Sequence, residues 1–574
     1  MAFLSGLALA LVLSLFRGVF AQTYNEIYRP QYHFTPGKNW MNDPNGLVFH
    51  NGVYHLYYQY NPDGNTWGNI SWGHATSTNL THWTEHPVAL LARGYPGELT
   101  EAFFTGTVVA DPQNTSGFGT NGTVPLVAMY TSYYPTSQTL PSGKSVTGGQ
   151  QAQSIAYSLD DGYTWTTYDA ANPVIPTPPA PYEDQWRDFR DPFIFWHDAT
   201  KKWISVISVS QLHKLLIYTS SNLKQWTLAS EFGPLNAVGG VWECPSIVPL
   251  PLDGDETNIK WVAQIGLNPG GPPGVTGSGT QYIVGTFDGT RFVADPDPLS
   301  PAPTSTEPHG PNWMDYGPDF YAAATFNGLP YLSHLNIAWV NNWQYAGVIP
   351  TAPWRSMMSI ARRISLKTIG GRAVLIQQPM ADVASLQTKT YSSSFATVAE
   401  GNQLIPLSEK TLDVTVSFSD RAAVSSSSQF GIILRATSDL AQQTRIGYDF
   451  STKRLFVDRS KSGNISFDGT FASTYYAPLE PASDGKVTMR ILLDWSSVEV
   501  FGGQGEVAIS AQIFPEDNGI DAQLFSSGGS TGDVTIDAKI LGSAWGAPGA
   551  PPTTSSTTTR TATTLTTTMR SFSR

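Results

Sequence analysis

Three carboxylates in this chain each sit beside a proline or one residue from it. They are Asp43 in Asn42-Asp43-Pro44-Asn45-Gly46, Asp191 in Phe189-Arg190-Asp191-Pro192 and Glu243 in Trp242-Glu243-Cys244-Pro245. Each motif leads into a strand-like run: Leu47-Val48-Phe49, Phe193-Ile194-Phe195-Trp196 and Ser246-Ile247-Val248. Proline suits the first residue of a strand, where its missing N–H leaves no ladder bond unmade. The spacing therefore predicts three acids at the mouths of three strands. Any one of them could instead cap a strand or bond turn backbone; three at equivalent positions point to a shared site. If the mouths converge, that site holds a nucleophile, a proton donor and a third charge, as a retaining glycosidase requires.

The elements that must bring the acids together show a weak internal repeat. A polar turn closed by an aromatic runs from Ser77 to Trp83, from Ser158 to Trp165 and from Ser220 to Trp226, and more loosely from Phe287 to Phe292. The turn ending at Trp165 resembles the Asp-box of sialidases and is read as structural. The acidic motifs interleave with these turns, and two more strands, from Phe104 and from Asp319, fill the gaps. Five inner strands are thus predicted, beginning near residues 43, 105, 191, 243 and 319. A several-stranded unit recurring five times is the signature of a β-propeller. Its innermost strands line a central channel, so their like ends meet at one rim. The fold class is all-β, with the propeller spanning 22–370.

The pattern changes across 371–390, read as a linker with a short helix around Met380 to Leu386. A second set of strands follows over 391–545, among them Leu412–Phe418, Val487–Asp494 and Val507–Phe514, spaced as in a β-sandwich. Residues 546–574 are Pro/Gly-rich and then Ser/Thr-rich, a tail that cannot bury a core. At the other end, residues 1–21 read as a secretory signal, with an apolar core shorter than a membrane span.

Composition narrows the function. The chain has 574 residues, 41% hydrophobic, only 14% charged and rich in Gly (52) and Pro (41). With a net charge of −12 it offers no basic surface for nucleic acid; a neutral ligand fits the balance. Asn-x-Ser/Thr sequons at Asn69, Asn79, Asn114, Asn121 and Asn464 agree with export. The single cysteine, Cys244, precludes an internal disulfide. No Cys/His cluster suggests a metal, and His55, His74, His82 and His86 read as structural residues of one blade. Neither a cofactor nor a membrane partner is expected, and the oligomeric state is left open.

Trp40-Met41-Asn42-Asp43-Pro44-Asn45-Gly46, Phe189-Arg190-Asp191-Pro192 and Glu243-Cys244-Pro245 together resemble the signature motifs of glycoside hydrolase family 32, the β-fructofuranosidases. The resemblance extends to Asp319-Phe320-Tyr321-Ala322, Ala338-Trp339-Val340-Asn341-Asn342-Trp343 and Ser497-Val498-Glu499-Val500-Phe501, and covers nearly all of residues 23–545. It implies a five-bladed propeller followed by a β-sandwich. It also implies that Asp43 is the nucleophile, Glu243 the general acid/base and Asp191 the transition-state stabiliser. By the same resemblance Asn42, Gln59, Trp67, Thr105 and Arg190 line the pocket for a terminal fructose, with Asp319 and Trp339 as further members. Thr105 stands where Ser is common, and Asp494-Trp495 where Asp-Arg is usual.

Within the family the chain is similar to secreted fungal exo-inulinases, through the stretch from Asn268 to Gly274 and through Asp43, where endo-acting relatives carry Glu. The resemblance thus implies release of fructose from inulin, with levan and sucrose also cleaved. An invertase or fructosyltransferase acting mainly on sucrose is the alternative. A non-catalytic fructan-binding protein is more remote, since a binder has no need of three acids.

Overall fold

The computed structural model describes residues 24–297, 299, 310, 312–422 and 425–546. The signal sequence and the Ser/Thr-rich tail read from the sequence lie outside these residues.

Five antiparallel blades follow one another along the chain. Their innermost strands are Asn39–His50, Ala102–Ala110, Phe189–His197, Val241–Leu252 and Tyr321–Thr325. In the first four blades each inner strand pairs outward in chain order, for example Phe189–His197 with Lys202–Val209, Lys214–Ser220 and Thr227–Phe232. The ring closes where Trp354–Arg355 lies parallel to Asn39 and Trp40. The repeated turns join the third and fourth strands of blades 1 to 4. Ser77 Oγ accepts from the backbone N–H groups of Asn79 and Leu80, and Asn79 Oδ1 from those of Thr81 and His82. Ser220 and Asn222 repeat the scheme. Side-chain oxygens replace missing ladder partners in both turns, which is why Ser and Asn recur there.

The strands differ from expectation in one respect that matters for the site. The acids do not start their strands. Three strands begin two to four residues before the acid, and Pro44, Pro192 and Pro245 lie inside them. Register slips at Met41/Pro44, Phe103/Gly106, Arg190/Phe193, Glu243/Ser246 and Tyr321/Ala324 place a β-bulge at the corresponding point of every inner strand. A bulge tolerates proline because the local ladder is already broken. Asp191 (φ 64°), Cys244 (φ 48°) and Ala322 (φ 51°) sit in the left-handed region at three of these bulges.

Two six-stranded sheets form the second domain, and their inner faces make one core that includes Leu412, Val414, Ile432, Ile446, Ile491 and Ile509. The linker reading over 371–390 is corrected. Arg372–Pro379 is the outer strand of blade 5, in register with Arg362–Ile369. Gly370 (φ 57°) and Gly371 (φ 79°) form its hairpin turn and not a domain break. The chain then passes through a short 3₁₀ turn, Ala381–Leu386, directly into the sandwich strand Gln387–Val398.

Buried ion pairs weld the two domains. Arg362 of blade 5 lies between Asp315 (2.9 Å) and Glu499 (Nε at 3.1 Å), all without exposed side-chain surface. His33 bridges Asp494 (2.8 Å) and Glu499 (2.9 Å), while Asp494 also accepts the backbone N–H groups of Gln31 and Tyr32. Burial opposes charge on His33, but the two carboxylates outweigh it and raise its pKa to about 9. Burial would likewise raise Glu499, yet Arg362 and His33 bring it down to about 2. The Glu499 contribution to stability is present above pH 4.5 and lost as pH falls through about 2. The His33 contribution is present below pH 6.5 and lost as pH rises through about 9. Arg362→Met leaves buried Asp315 without its cation and Glu499 with His33 alone, and we expect a loss of about 3–5 kcal/mol in denaturant unfolding. Unchanged stability would contradict the weld.

Candidate active site

The bulges aim the acids at one end of the channel. Asp43 and Asp191 form the floor of a cavity of about 410 Å³, and Glu243 and Arg190 stand on its wall. Below the floor the axis narrows to a void of about 20 Å³. At the far end a separate cavity of about 360 Å³ is lined by rings such as Phe195, Trp196 and Trp261 and by no carboxylate. The acid chemistry is confined to one rim.

Each acid is held by named partners. Thr105 Oγ1 donates to Asp43 Oδ2 at 2.8 Å, and Gln59 Nε2 in turn donates to Thr105 Oγ1. Trp40 Nε1 fixes Asn42 Oδ1 at 2.7 Å, and Asn42 Nδ2 donates to Asp43 Oδ1 at 3.1 Å. Arg190 donates twice to Glu243 Oε1, from Nη2 at 2.8 Å and from Nε at 3.2 Å. Tyr321 OH donates to Glu243 Oε2. Asp191 Oδ2 accepts the backbone N–H of Cys244 at 2.9 Å. The Cys244 thiol lies 3.4 Å from Asp43 Oδ2 and 3.7 Å from Asp191 Oδ2, so it separates two acids and touches neither oxygen of Glu243.

Burial beside other carboxylates disfavours charge on Asp43 and Asp191. Burial pushes Asp191 up to about 7, with Arg190 opposing and Glu243 reinforcing. Burial also raises Asp43, against the hydrogen bonds from Asn42 and Thr105. The Cys244 thiol is driven well above its ordinary value by burial and by the nearby acids, chiefly Asp43. It is therefore a neutral filler and not a nucleophile.

Comparison with known proteins identifies the family. Residues 33–379 match the glycosyl hydrolases family 32 N-terminal domain and residues 382–540 the family 32 C-terminal domain. The chain belongs to glycosyl hydrolase family 32. An extracellular exo-inulinase of Aspergillus ficuum is 58% identical over 527 residues, covering 92% of this chain and 96% of that protein. A levanase of Bacillus subtilis is 42% identical over 91% of this chain and 72% of its own length. The crystal structure of exo-inulinase from Aspergillus awamori superposes with a TM-score of 0.88 at 58% identity, covering 91% of this chain and all of that one.

Family membership and geometry part company over two sequence-derived pocket residues. Asn42, Gln59, Trp67, Thr105 and Arg190 do line the cavity, together with the three acids. Asp319 does not. It is fully buried between the domains, where it accepts from Arg459 Nη1 (2.7 Å), Tyr345 OH (2.7 Å) and the Gln512 backbone (2.8 Å). Trp339 is buried beneath the rim. Its indole donates to the Met41 carbonyl at 3.1 Å and its ring packs against Trp40 and Trp343. Both residues come from motifs near the site, but Trp339 points away from the cavity within its strand, and Asp319 precedes its strand and is turned to the sandwich by its partners there.

Six other lining residues escaped the sequence reading: Phe104, Tyr133, Gln151, Asp188, Asn268 and Trp343. Two had a signal. Asp188 and Gln151 are the neighbours of Arg190 Nη1, at 2.7 and 3.3 Å, as a buried cation demands. Phe104 lies between the half-exposed Trp67 (6.0 Å) and Tyr133, which stacks on it at 5.0 Å. His55, His74 and His86 of blade 1 pack against one another and against Tyr163 on the turn of blade 2, while His82 sits on the turn of blade 1. No group placed to hold a metal ion occurs among the described residues.

The raised pKa of Asp191 makes a stability prediction. Its neutral form is favoured in the folded state, so the contribution is full below pH 3.8 and lost as pH rises through about 7. Asp191→Asn removes that loss. In calorimetry between pH 4 and pH 8 the melting temperature of the variant should fall less than that of the parent chain. Parallel curves would refute a buried, proton-retaining Asp191.

Proposed function

We propose that this protein is a secreted exo-β-fructofuranosidase that releases terminal fructose from inulin-type chains by a retaining double displacement. We extend the activity to levan and to sucrose. The observation that carries the reading is a cavity at one rim of the channel with Asp43 and Asp191 on its floor, Glu243 on its wall, and each acid held by hydrogen-bond partners. Its volume of about 410 Å³ lies near the small end of the roughly 300–1,000 Å³ typical of ligand pockets, and suits a chain end entering from one side. A through-going groove would suit internal cleavage instead.

In this reading Asp43 attacks the anomeric C2 of the terminal unit while Glu243 protonates the departing glycosidic oxygen. The C2–O bond breaks, a fructosyl ester forms on Asp43, and the shortened chain leaves with the proton. Glu243, now a carboxylate, takes a proton from water, whose oxygen displaces Asp43 from C2. Two inversions leave the configuration retained. Arg190 and Tyr321 orient the Glu243 carboxyl through both of its oxygens. Asp191 accepts hydroxyls of the ring through hydrogen bonds that strengthen as positive charge develops. Asn42, Gln59 and Thr105 hold Asp43 and the ring, and Trp67 offers an apolar face.

Secretion is supported by the apolar segment 1–21, by the sequons and by relatives named extracellular. Asn114, Asn121 and Asn464 are exposed, and Asn69 and Asn79 partly so; we propose all five as glycan acceptors. No helix among the described residues is long and apolar enough to cross a membrane.

Chromatography of products from inulin and, separately, sucrose tests the reading. Free fructose from inulin from the earliest time points is the expected result. Short oligosaccharides without fructose would sink the exo reading, and action confined to sucrose would move the assignment to an invertase or fructosyltransferase. Asp43→Ala and Glu243→Gln should each lower kcat by about three orders of magnitude or more, because neither step proceeds without its group.

A further inference from the structure

Asp191 stands in the left-handed region (φ 64°) at a bulge in the inner strand of blade 3. That strand is an edge of its sheet, so its axis-facing N–H and C=O groups have no ladder partner. The bulge adds to the unpaired groups. All of them lie where water is scarce, and each needs a partner.

Three side chains of blade 2 supply partners for four of them, and Asn327 of blade 5 donates to the Ile194 carbonyl. Thr131 Oγ1 accepts the Asp191 N–H at 2.9 Å. Thr131 Oγ1–H is turned onto Gln153 Oε1 at 3.0 Å, which leaves the oxygen free to accept. Gln153 Nε2 donates to the Phe189 carbonyl at 2.9 Å. Thr107 Oγ1 donates to the Pro192 carbonyl at 2.8 Å and accepts the Ile194 N–H at 2.9 Å. Four backbone groups flanking the bulge are thereby satisfied from the neighbouring blade. Thr131 and Gln153 are fully buried, and Thr107 is 5% exposed. None of the three lines the sugar cavity.

The circuit runs on into the site. The Asp191 carboxylate accepts the N–H of Cys244, itself left-handed at the bulge of blade 4 and adjacent to Glu243. A shift of the Asp191 backbone is therefore felt by two of the three acids.

We propose that Thr131, Thr107 and Gln153 are positioning residues that hold the left-handed turn at Asp191, and through Cys244 the bulge beside Glu243. They act without touching substrate. The proposal rests on the reading of Asp191 as the transition-state stabiliser. It goes beyond that reading by placing part of the catalytic alignment in blade 2 and outside the acidic motifs.

Thr131→Val keeps shape and removes the acceptor; Thr131→Ser keeps the hydroxyl. Both are assayed on sucrose well below their melting temperatures, alone and combined with Asp191→Asn. A displacement of the order of an ångström costs about a hundredfold, so Thr131→Val should lower kcat about ten- to a hundredfold with a smaller change in KM. Thr131→Ser should recover most of that loss. In the Asp191→Asn background Thr131→Val should cost almost nothing further, since the group it aligns is already gone. An equal loss in both backgrounds would mean general damage to the fold and would overturn the proposal, as would an unchanged kcat in Thr131→Val. If Thr131→Val does not fold, Gln153→Met is read by the same criteria. Full activity in Asp191→Asn alone would instead overturn the role given to Asp191, a separate failure.

Discussion

The structure depends on how five sheet edges are finished along one axis. Each inner strand turns unpaired N–H and C=O groups toward the channel, where they cannot all reach water. The sequence meets them with bulges and with short polar side chains from other blades. Asn327 donates to the carbonyls of Val108 and Ile194. Thr107 and Thr131 serve the strand carrying Asp191. The same devices that seal the axis turn carboxylates toward its upper rim, so stability and catalytic geometry share one set of hydrogen bonds. That sharing explains why non-glycine residues occupy left-handed positions at Asp191 and Cys244: the local strain is held in place by buried partners on several sides.

The sandwich supports this arrangement from outside. Asp315, Asp319, Glu499 and Arg459 are fully buried between the domains, and each is matched by a counter-charge or a hydrogen-bond partner. Asp319 lies only two residues before Tyr321, which holds Glu243. The weld therefore fixes the entry of the fifth inner strand as well as the second domain. Its charges are arranged to be stable in mildly acidic conditions, with Glu499 ionised and His33 protonated together.

Much of this was legible in the chain. Five inner strands could be counted because the acidic motifs alternate with turns whose Ser, Asn and closing aromatic have a fixed local chemistry. The acids could be grouped because a propeller brings like strand ends together. Bulges were not legible: a proline after an acid reads as a strand start, and only pairing register reveals that Pro192 sits inside a strand. Asp319 was misplaced for a related reason. A motif fixes a neighbourhood, but which way a side chain points depends on register and on partners distant in sequence, here Arg459 and Gln512. Gly370-Gly371 read as a domain break because a hairpin turn and a linker share the same composition. Phe104, Tyr133 and Asn268 gave no chemical signal at all, since their place in the pocket comes only from the curvature of the ring.

In the proposed mechanism the bulges present Asp43, and no other acid, to the anomeric carbon. Glu243→Gln, with an activated β-fructofuranoside whose leaving group needs no proton, should accumulate the covalent intermediate for lack of a base to activate water. The measurement is acid quench during turnover, protease digestion and mass spectrometry of the peptides. A fructosyl mass on the peptide containing Asp43 is the predicted result. A fructosyl mass on the peptide containing Asp191, or inverted fructose as the first product with no labelled peptide, would contradict it.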